Sequence, residues 1–343
     1  MTSCQRLGAT LLFFTAAELL ANCASSYAGS ALMLPTEPTG LARGAVQSVH
    51  ELPRPSERWA LVVGIGKYDD SFLHPLYGDA DATAFATVLE ERAGFPNDHI
   101  ILLAGQHTKD CRPVGSGDAS ESASTMDPIN QACQPTRQNF LDKLHHLTNQ
   151  IPPTGLFVLF FSGHGVYVGG ESVLFLSDLK YDSGENYLKT AGVTAKELAE
   201  TIRVSNIKQV LIFLDACRDQ RLATMGAEQD AISPKFKDGF DLNALNAKVE
   251  AFMTFFSSQP GKPSYEDPSE KRSYFTSELV HAFNGQGNAY DARNLLTLAG
   301  LIKYVQTNVE NRVEKDRREH QKPDFQLRGY LPLDLALAGR ENP

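Results

Sequence analysis

The feature that most constrains this chain is an alternation: short, uninterrupted apolar runs, each followed by a stretch whose apolar residues fall at helical spacing. The first run is Trp59-Ala60-Leu61-Val62-Val63-Gly64-Ile65-Gly66. A strand that is apolar at consecutive positions has no polar face to turn to water, so it belongs inside a parallel sheet covered on both sides. Residues 81–92 follow, with Ala82, Phe85, Ala86 and Leu89 at helical spacing, and stop at Gly94 and Pro96. The pattern then recurs, with strands expected at 100–103, 156–161 and 210–214 and helices at 137–149 and 195–202. A fifth run, 251–256, leads through Ser257-Ser258 and a polar stretch to a helix at 274–283, and a last helix is expected near 295–314. Its charged continuation, 310–320, reads as a solvated face. The expected fold is α/β, a single domain over residues 58–343 with a mostly parallel central sheet and helices on both faces.

With 343 residues, 42% of them hydrophobic, the chain has ample core, which excludes a disordered tail, a collagen-like repeat and a small disulfide scaffold. The net charge of −9, from 32 Lys and Arg against 41 Asp and Glu, leaves no basic excess to displace counterions from phosphates, so no nucleic-acid partner is expected. Residues 1–28 carry Arg6, an apolar stretch over 7–21 and small residues ending Ser26-Tyr27-Ala28, the pattern of a secretory signal peptide cut after Ala28. That stretch is too short for a spanning helix, and no run of 18 or more apolar residues occurs elsewhere, so no transmembrane span is expected. A periplasmic or secreted location follows. Leu20-Ala21-Asn22-Cys23 also resembles a bacterial lipobox, with Asn22 where a small residue belongs, so a lipid anchor on Cys23 is the alternative. Residues 29–57, rich in Pro, Gly and small residues, read as a linker.

Loss of residues 1–28 removes Arg6 and Glu18 together, leaving the charge at −9, and reduces five cysteines to Cys111, Cys133 and Cys217. In an oxidising compartment structural thiols tend to pair, and the simplest partition is a Cys111–Cys133 disulfide with Cys217 free. The intervening Ser/Gly/Asp-rich residues read as a long surface loop. Residues 219–248 show no clear element either.

In an open α/β sheet the site forms at the carboxyl ends of the strands. Ser162-Gly163-His164-Gly165 follows the third apolar run, and Asp215-Ala216-Cys217-Arg218-Asp219 follows the fourth. A His and a Cys therefore end two neighbouring strands. A free thiol, with a pKa of about 8.5, is mostly protonated at neutral pH, and an adjacent imidazole lowers that pKa or takes the proton. The glycines suit close approach of a substrate backbone, and the amides of Gly165 and Cys217 suit an oxyanion hole. Taken alone, a Cys after a buried strand is more often an inert core residue.

Their joint context carries more. WALVVGIGKY, LYGDADATAFATVLEERAGF, VLFFSGHGV, VLIFLDACRD and FFSSQPGKPSYE followed by YFTSELVHAF occur in the order seen in caspase-like cysteine peptidases. The chain resembles the metacaspase, paracaspase and bacterial orthocaspase branch of that family over nearly all of residues 58–285, and more weakly at HQKPDF. The resemblance implies a caspase-like fold with Cys217 as nucleophile and His164 as general base and acid. It implies peptide-bond hydrolysis through a thioester, without a metal or organic cofactor. Some metacaspases bind Ca²⁺, but no loop spacing here demands it.

Caspases that cut after Asp place Gln two positions before the nucleophile; here that position is Asp215, which repels an acid and attracts Arg or Lys. Asp81 and Glu266 match positions that the basic-specific branch uses for the same pocket, so the expected partners are proteins or peptides with Arg or Lys before the cleaved bond. The plainer readings are that Asp79 or Asp81 caps a helix and that Glu266 is a solvated loop acid; Asp79 replaces Asp81 if the alignment slips. Self-cleavage at Arg221, Lys235, Lys237 or Lys248 is a further expectation. Most relatives lack the 111–133 insertion. No phosphate-binding G-x-x-x-x-G-K-[ST], H-E-x-x-H or G-x-S-x-G motif occurs, and His145-His146 has no companion at metal-ligand spacing. The rival from another class is a catalytically silent caspase-like binding or scaffolding module. A thiol oxidoreductase would need a C-x-x-C, which is missing.

Overall fold

The computed structural model describes residues 50–105, 134–168, 171–180, 184–217, 249–259 and 262–339. The expected signal peptide with Cys23, most of the linker, the Cys111–Cys133 disulfide, the loop 219–248 with its self-cleavage positions and the chain's last residues lie outside them.

The apolar runs become strands β1 (Arg58–Gly64), β2 (Ile100–Ala104), β3 (Leu156–Val168), β6 (Gln209–Cys217) and β7 (Ala251–Phe256), paired in parallel in the order β7-β6-β3-β1-β2. Three short elements lie between β3 and β6 and complete one side: β4 (Glu171–Leu174), α3 (Glu185–Ala191) and β5 (Val193–Thr194). Alternate residues along each central strand point to opposite faces, and both sets are buried, which is why the runs are continuously apolar. On one face Val62, Phe160, Phe213 and Phe255 pack against α1 (Gly78–Glu91), α5 (Tyr274–Phe283) and α6 (Leu298–Arg317). On the other, Val63, Phe161 and Leu214 pack against α2 (Arg137–Gln150), α3 and α4 (Ala195–Val204). The expectation of a mostly parallel sheet with helices on both faces is met.

Several boundaries differ. β3 and β6 run through the SGHG and DAC residues instead of ending before them, because the parallel ladder persists: Ser162 pairs with Asp215, Gly163 with Ala216 and His164 with Cys217. Residues 295–297, expected as the start of a helix, form β10 (Leu295–Thr297); α6 begins at Leu298, where the Thr297 side chain accepts the Gly300 N–H. β11 (Asp324–Gly329), unanticipated, adds antiparallel to β7, and β12 (Ala336–Gly339) pairs with β10. The end of the expected linker also belongs to the domain: Leu52 enters the core, and the His50 carbonyl accepts the Ala336 N–H at 2.8 Å.

Candidate active site

The register sets the Cα of His164 beside that of Cys217, the pair expected from the strand ends. The His164 ring is buried, and its Nε2 lies 3.0 Å from the His74 carbonyl oxygen. A carbonyl only accepts, so this nitrogen carries the proton and Nδ1 is left as the basic one. The His164 backbone N–H donates to the Tyr68 hydroxyl at 2.6 Å, and that hydroxyl lies 3.4 Å from the Phe175 carbonyl. Phe175 N–H in turn donates to the His164 carbonyl at 2.9 Å. That makes 164/175 a hydrogen-bonded position of the antiparallel ladder with β4 and 165/174 an open one, so the Gly165 N–H points away from β4. Gly163 has a packing reason to be glycine: a Cβ there would fall 2.9 Å from both Ile65 Cδ1 and the Tyr68 hydroxyl.

The acids are brought in by the start of α1. Gly64 and Gly78 let the helix lie directly on β1, since a Cβ on Gly64 would stand 2.0 Å from the Gly78 carbonyl oxygen. The first turn then carries Asp81 to the middle of β3, where the Ser162 hydroxyl donates to it at 2.7 Å. Asp79 is elsewhere. Its Oδ1 accepts the N–H groups of Gly66 and Gly105, each at 2.9 Å, tying together the chain after β1 and β2, so it does not replace Asp81. Neither acid caps the helix with its side chain, since the cap residue is Tyr77.

Asp215 accepts from the hydroxyls of Ser264 at 3.3 Å, Thr276 at 2.8 Å and Ser273. Ser273 joins two acids: its backbone N–H donates to Asp81 at 3.0 Å while its hydroxyl donates to Asp215. The same oxygen accepts the Thr276 N–H and so caps α5. Glu266, half-buried at the start of the hairpin β8 (Glu266–Asp267) and β9 (Arg272–Ser273), accepts the Tyr77 N–H at 2.6 Å. The solvated-loop reading of Glu266 therefore fails.

Burial pushes the Asp81 carboxyl well above the usual carboxylate range, and the neighbouring Asp215 and Glu266 charges add to that. Burial likewise raises Asp215, against the hydroxyls of Ser273, Thr276, Ser264 and Ser257, which favour its anion. Glu266 is raised by burial and by Asp215, and is opposed by the Tyr77 N–H and the charges of His74 and Arg317. The leading influences on Asp81 and Asp215 are burial, neighbouring acids, hydroxyls and an N–H, with no cation among them. No cluster of His, Cys, Asp and Glu fit for a metal ion occurs among the described residues.

Tyr68, His74 and Gln321 are among the supporting residues that the sequence reading did not single out. Tyr68 and His74 lie in a loop with no periodic pattern. Gln321 is fully buried, accepting the Tyr265 N–H at 2.8 Å and donating to the Ser257 carbonyl at 2.9 Å and the Ser264 hydroxyl at 3.1 Å. It lies in the weakly matching HQKPDF, the one signal that pointed to it.

The model of the caspase domain matches residues 57–329. No curated protein matches the chain. Among solved structures, the chain is similar to a protein of Geobacter sulfurreducens, with 16% identity, a TM-score of 0.47 and coverage of 80% of this chain and 95% of that one. It is similar also to caspase-1 of Spodoptera frugiperda, with 13% identity, a TM-score of 0.45 and coverage of 84% and 92% respectively. Because the family match runs from the residue before β1 to the last residue of β11, across the whole of the main sheet, the chain belongs to the caspase-domain family.

Proposed function

We propose that the protein is a cysteine endopeptidase that cleaves after Arg or Lys and acts after export. The Cys217 thiol gives its proton to His164 Nδ1 and attacks the scissile carbonyl, forming a C–S bond. The Nε2–H donated to the His74 carbonyl holds the productive tautomer and stabilises the imidazolium. The Gly165 and Cys217 amides donate to the developing oxyanion. Collapse of this intermediate breaks the C–N bond; the leaving amine takes the proton from His164, and water then hydrolyses the thioester with His164 as base. No metal or cofactor takes part in these steps.

The observation that supports the basic specificity is the pair of buried acids Asp81 and Asp215, which have hydroxyls and an N–H as their hydrogen-bond partners among the described residues. Buried carboxylates are normally paired, because an isolated buried charge is expensive. Asp81 and Asp215 are 1% and 0% exposed, and their charge is met among the described residues by hydroxyls and an N–H rather than by a cation. A guanidinium or ammonium from a substrate supplies what the cluster lacks, and Arg fits two carboxylates with its fork.

The test is hydrolysis of matched fluorogenic peptides ending in Arg, Lys or Asp. We expect Arg and Lys to be preferred over Asp by on the order of 10²-fold or more in kcat/KM, and Cys217→Ala to abolish turnover. A preference for Asp overturns the pocket, and unchanged turnover in Cys217→Ala overturns the nucleophile. A folded protein whose Cys217 ignores thiol reagents supports the silent module.

A further inference from the structure

Behind the acids lies a second charged cluster with no part in the steps above. Arg312, on α6, donates through Nη1 to Glu278 at 2.6 Å and through Nη2 to Glu270 at 2.9 Å and to Asp267. Its guanidinium carbon is 5.3 Å from the centre of the Tyr274 ring. Asp267 and Glu270 belong to the segment spanned by the β8–β9 hairpin, and Tyr274 and Glu278 to α5. The hairpin begins with Glu266 and ends with Ser273, which holds both Asp81 and Asp215. Arg312 therefore grips Asp267 and Tyr274, the residues beside the hairpin's two functional ends.

Other contacts make this grip a constraint. Asp267 and Glu278 are 3% and 2% exposed, so their charges depend on a partner. Lys271, in the turn between them, has φ 52°, a left-handed conformation that a non-glycine side chain keeps only where its surroundings hold it. Arg272 donates to the same Glu270 at 2.9 Å, and His281 lies 3.4 Å from Glu270 and 3.5 Å from Glu278. Neither reaches Asp267; from α6, Arg317 also touches the first strand, its Nη1 3.4 Å from the Glu266 carbonyl oxygen, while the contact to the buried Asp267 carboxylate is made by Arg312.

We propose that Arg312 is a positioning residue for the substrate pocket: by bridging Asp267, Glu270 and Glu278 it fixes the hairpin that presents Glu266 and Ser273 to the basic side chain of the substrate. This rests on the reading of the acid cluster as the substrate pocket. The guanidinium spreads its donors over two terminal nitrogens, Nη1 for Glu278 and Nη2 for Glu270 and Asp267, whereas an ammonium is a compact point charge, so Lys is a poor replacement.

The experiment compares Arg312→Gln and Arg312→Lys with the parent protein in two measurements. The first is kcat and KM on matched peptides ending in Arg or in Gln. The second is amide hydrogen exchange over residues 266–273, with α2 on the opposite face as internal control. For Arg312→Gln we expect KM for the Arg-ended peptide to rise roughly 10-fold with kcat changed less than about 3-fold, and no KM change for the Gln-ended one. Exchange over the hairpin should rise about 10-fold while α2 is unaffected, and Arg312→Lys should restore less than half of either effect. If Arg312→Gln does not fold, Glu270→Gln, which removes one leg of the bridge, is read in the same way. Hairpin protection and Arg-ended KM both unchanged in a folded variant overturn the proposal. If the parent cleaves no Arg-ended peptide, the basic-specific reading falls by itself, and hairpin exchange still decides whether Arg312 holds the hairpin.

Discussion

His164 and Asp215 stand on adjacent strands, yet they are held by different means. His164 is fixed largely through the main chain: its Nε2 binds the His74 carbonyl, its carbonyl takes the Phe175 N–H, and its own N–H is taken by the Tyr68 hydroxyl. Asp215 is held by the hydroxyls of Ser264, Ser273 and Thr276, with Gln321 bracing Ser264. A main-chain carbonyl survives any substitution at its own position, whereas each hydroxyl is removed by one. The histidine side is thus built for constancy. The acid side can lose each of its contacts one residue at a time, and on the proposed reading its charge, and with it the choice of substrate, changes in the same way.

The sharpest way to break this contrast is Asp215→Asn. It keeps the shape, removes the charge, and on our reading leaves the Cys217–His164 chemistry in place. We expect kcat/KM for Arg-ended peptides to fall by on the order of 10²-fold, with Gln-ended peptides and alkylation of Cys217 by a small neutral reagent changed less than about 3-fold. Equal losses on both peptides would show that Asp215 serves the chemistry rather than selection, and would erase the distinction between the two sides.

Tyr68→Phe tests the other side. The variant strands the buried His164 N–H and costs stability of about 1–3 kcal/mol, seen as a lower denaturation midpoint. Because Tyr68 lies against the His164 ring, with centroids 5.0 Å apart, and shares none of the hydrogen bonds to the acids, the loss in activity should fall on kcat, with KM for Arg-ended peptides unchanged. A KM effect confined to Arg-ended peptides would mean that the two sides are one unit.

The same contrast explains what could be read in the chain before its structure. The parallel sheet was legible because its strands are apolar on both faces, and His164 and Cys217 were legible because they follow directly on the apolar runs of two such strands. Asp81, Asp215 and Glu266 were reached through resemblance, and their meeting depends on Gly64 and Gly78 letting α1 lie on β1. Ser273, Gln321 and Arg312 were not legible. Each is a polar residue in a polar stretch, and its meaning comes from partners tens to hundreds of positions away, such as Asp81 for Ser273 and Ser257 for Gln321. β11 stayed hidden for a related reason: an edge strand with one free side lacks the unbroken apolar run that marks its interior neighbours.

The smallest effect expected concerns the acid side without substrate. Burial raises Asp81, so the folded protein binds this proton more tightly than the unfolded chain does. Stability therefore falls as pH rises through the interval between the unfolded carboxyl value of about 4 and the raised folded value, and below that interval the penalty is absent. Asp81→Asn removes the penalty while its amide still meets the Ser162 hydroxyl and the Ser273 N–H. The variant should melt on the order of 2 °C above the parent at pH 8 and level with it near pH 4, while binding Arg-ended peptides more weakly. A variant less stable than the parent at pH 8 would show that Ser162 and Ser273 fully compensate the Asp81 anion. The acid side would then be a structural hydrogen-bond network held as firmly as the histidine side, with no uncompensated charge for a substrate to neutralise.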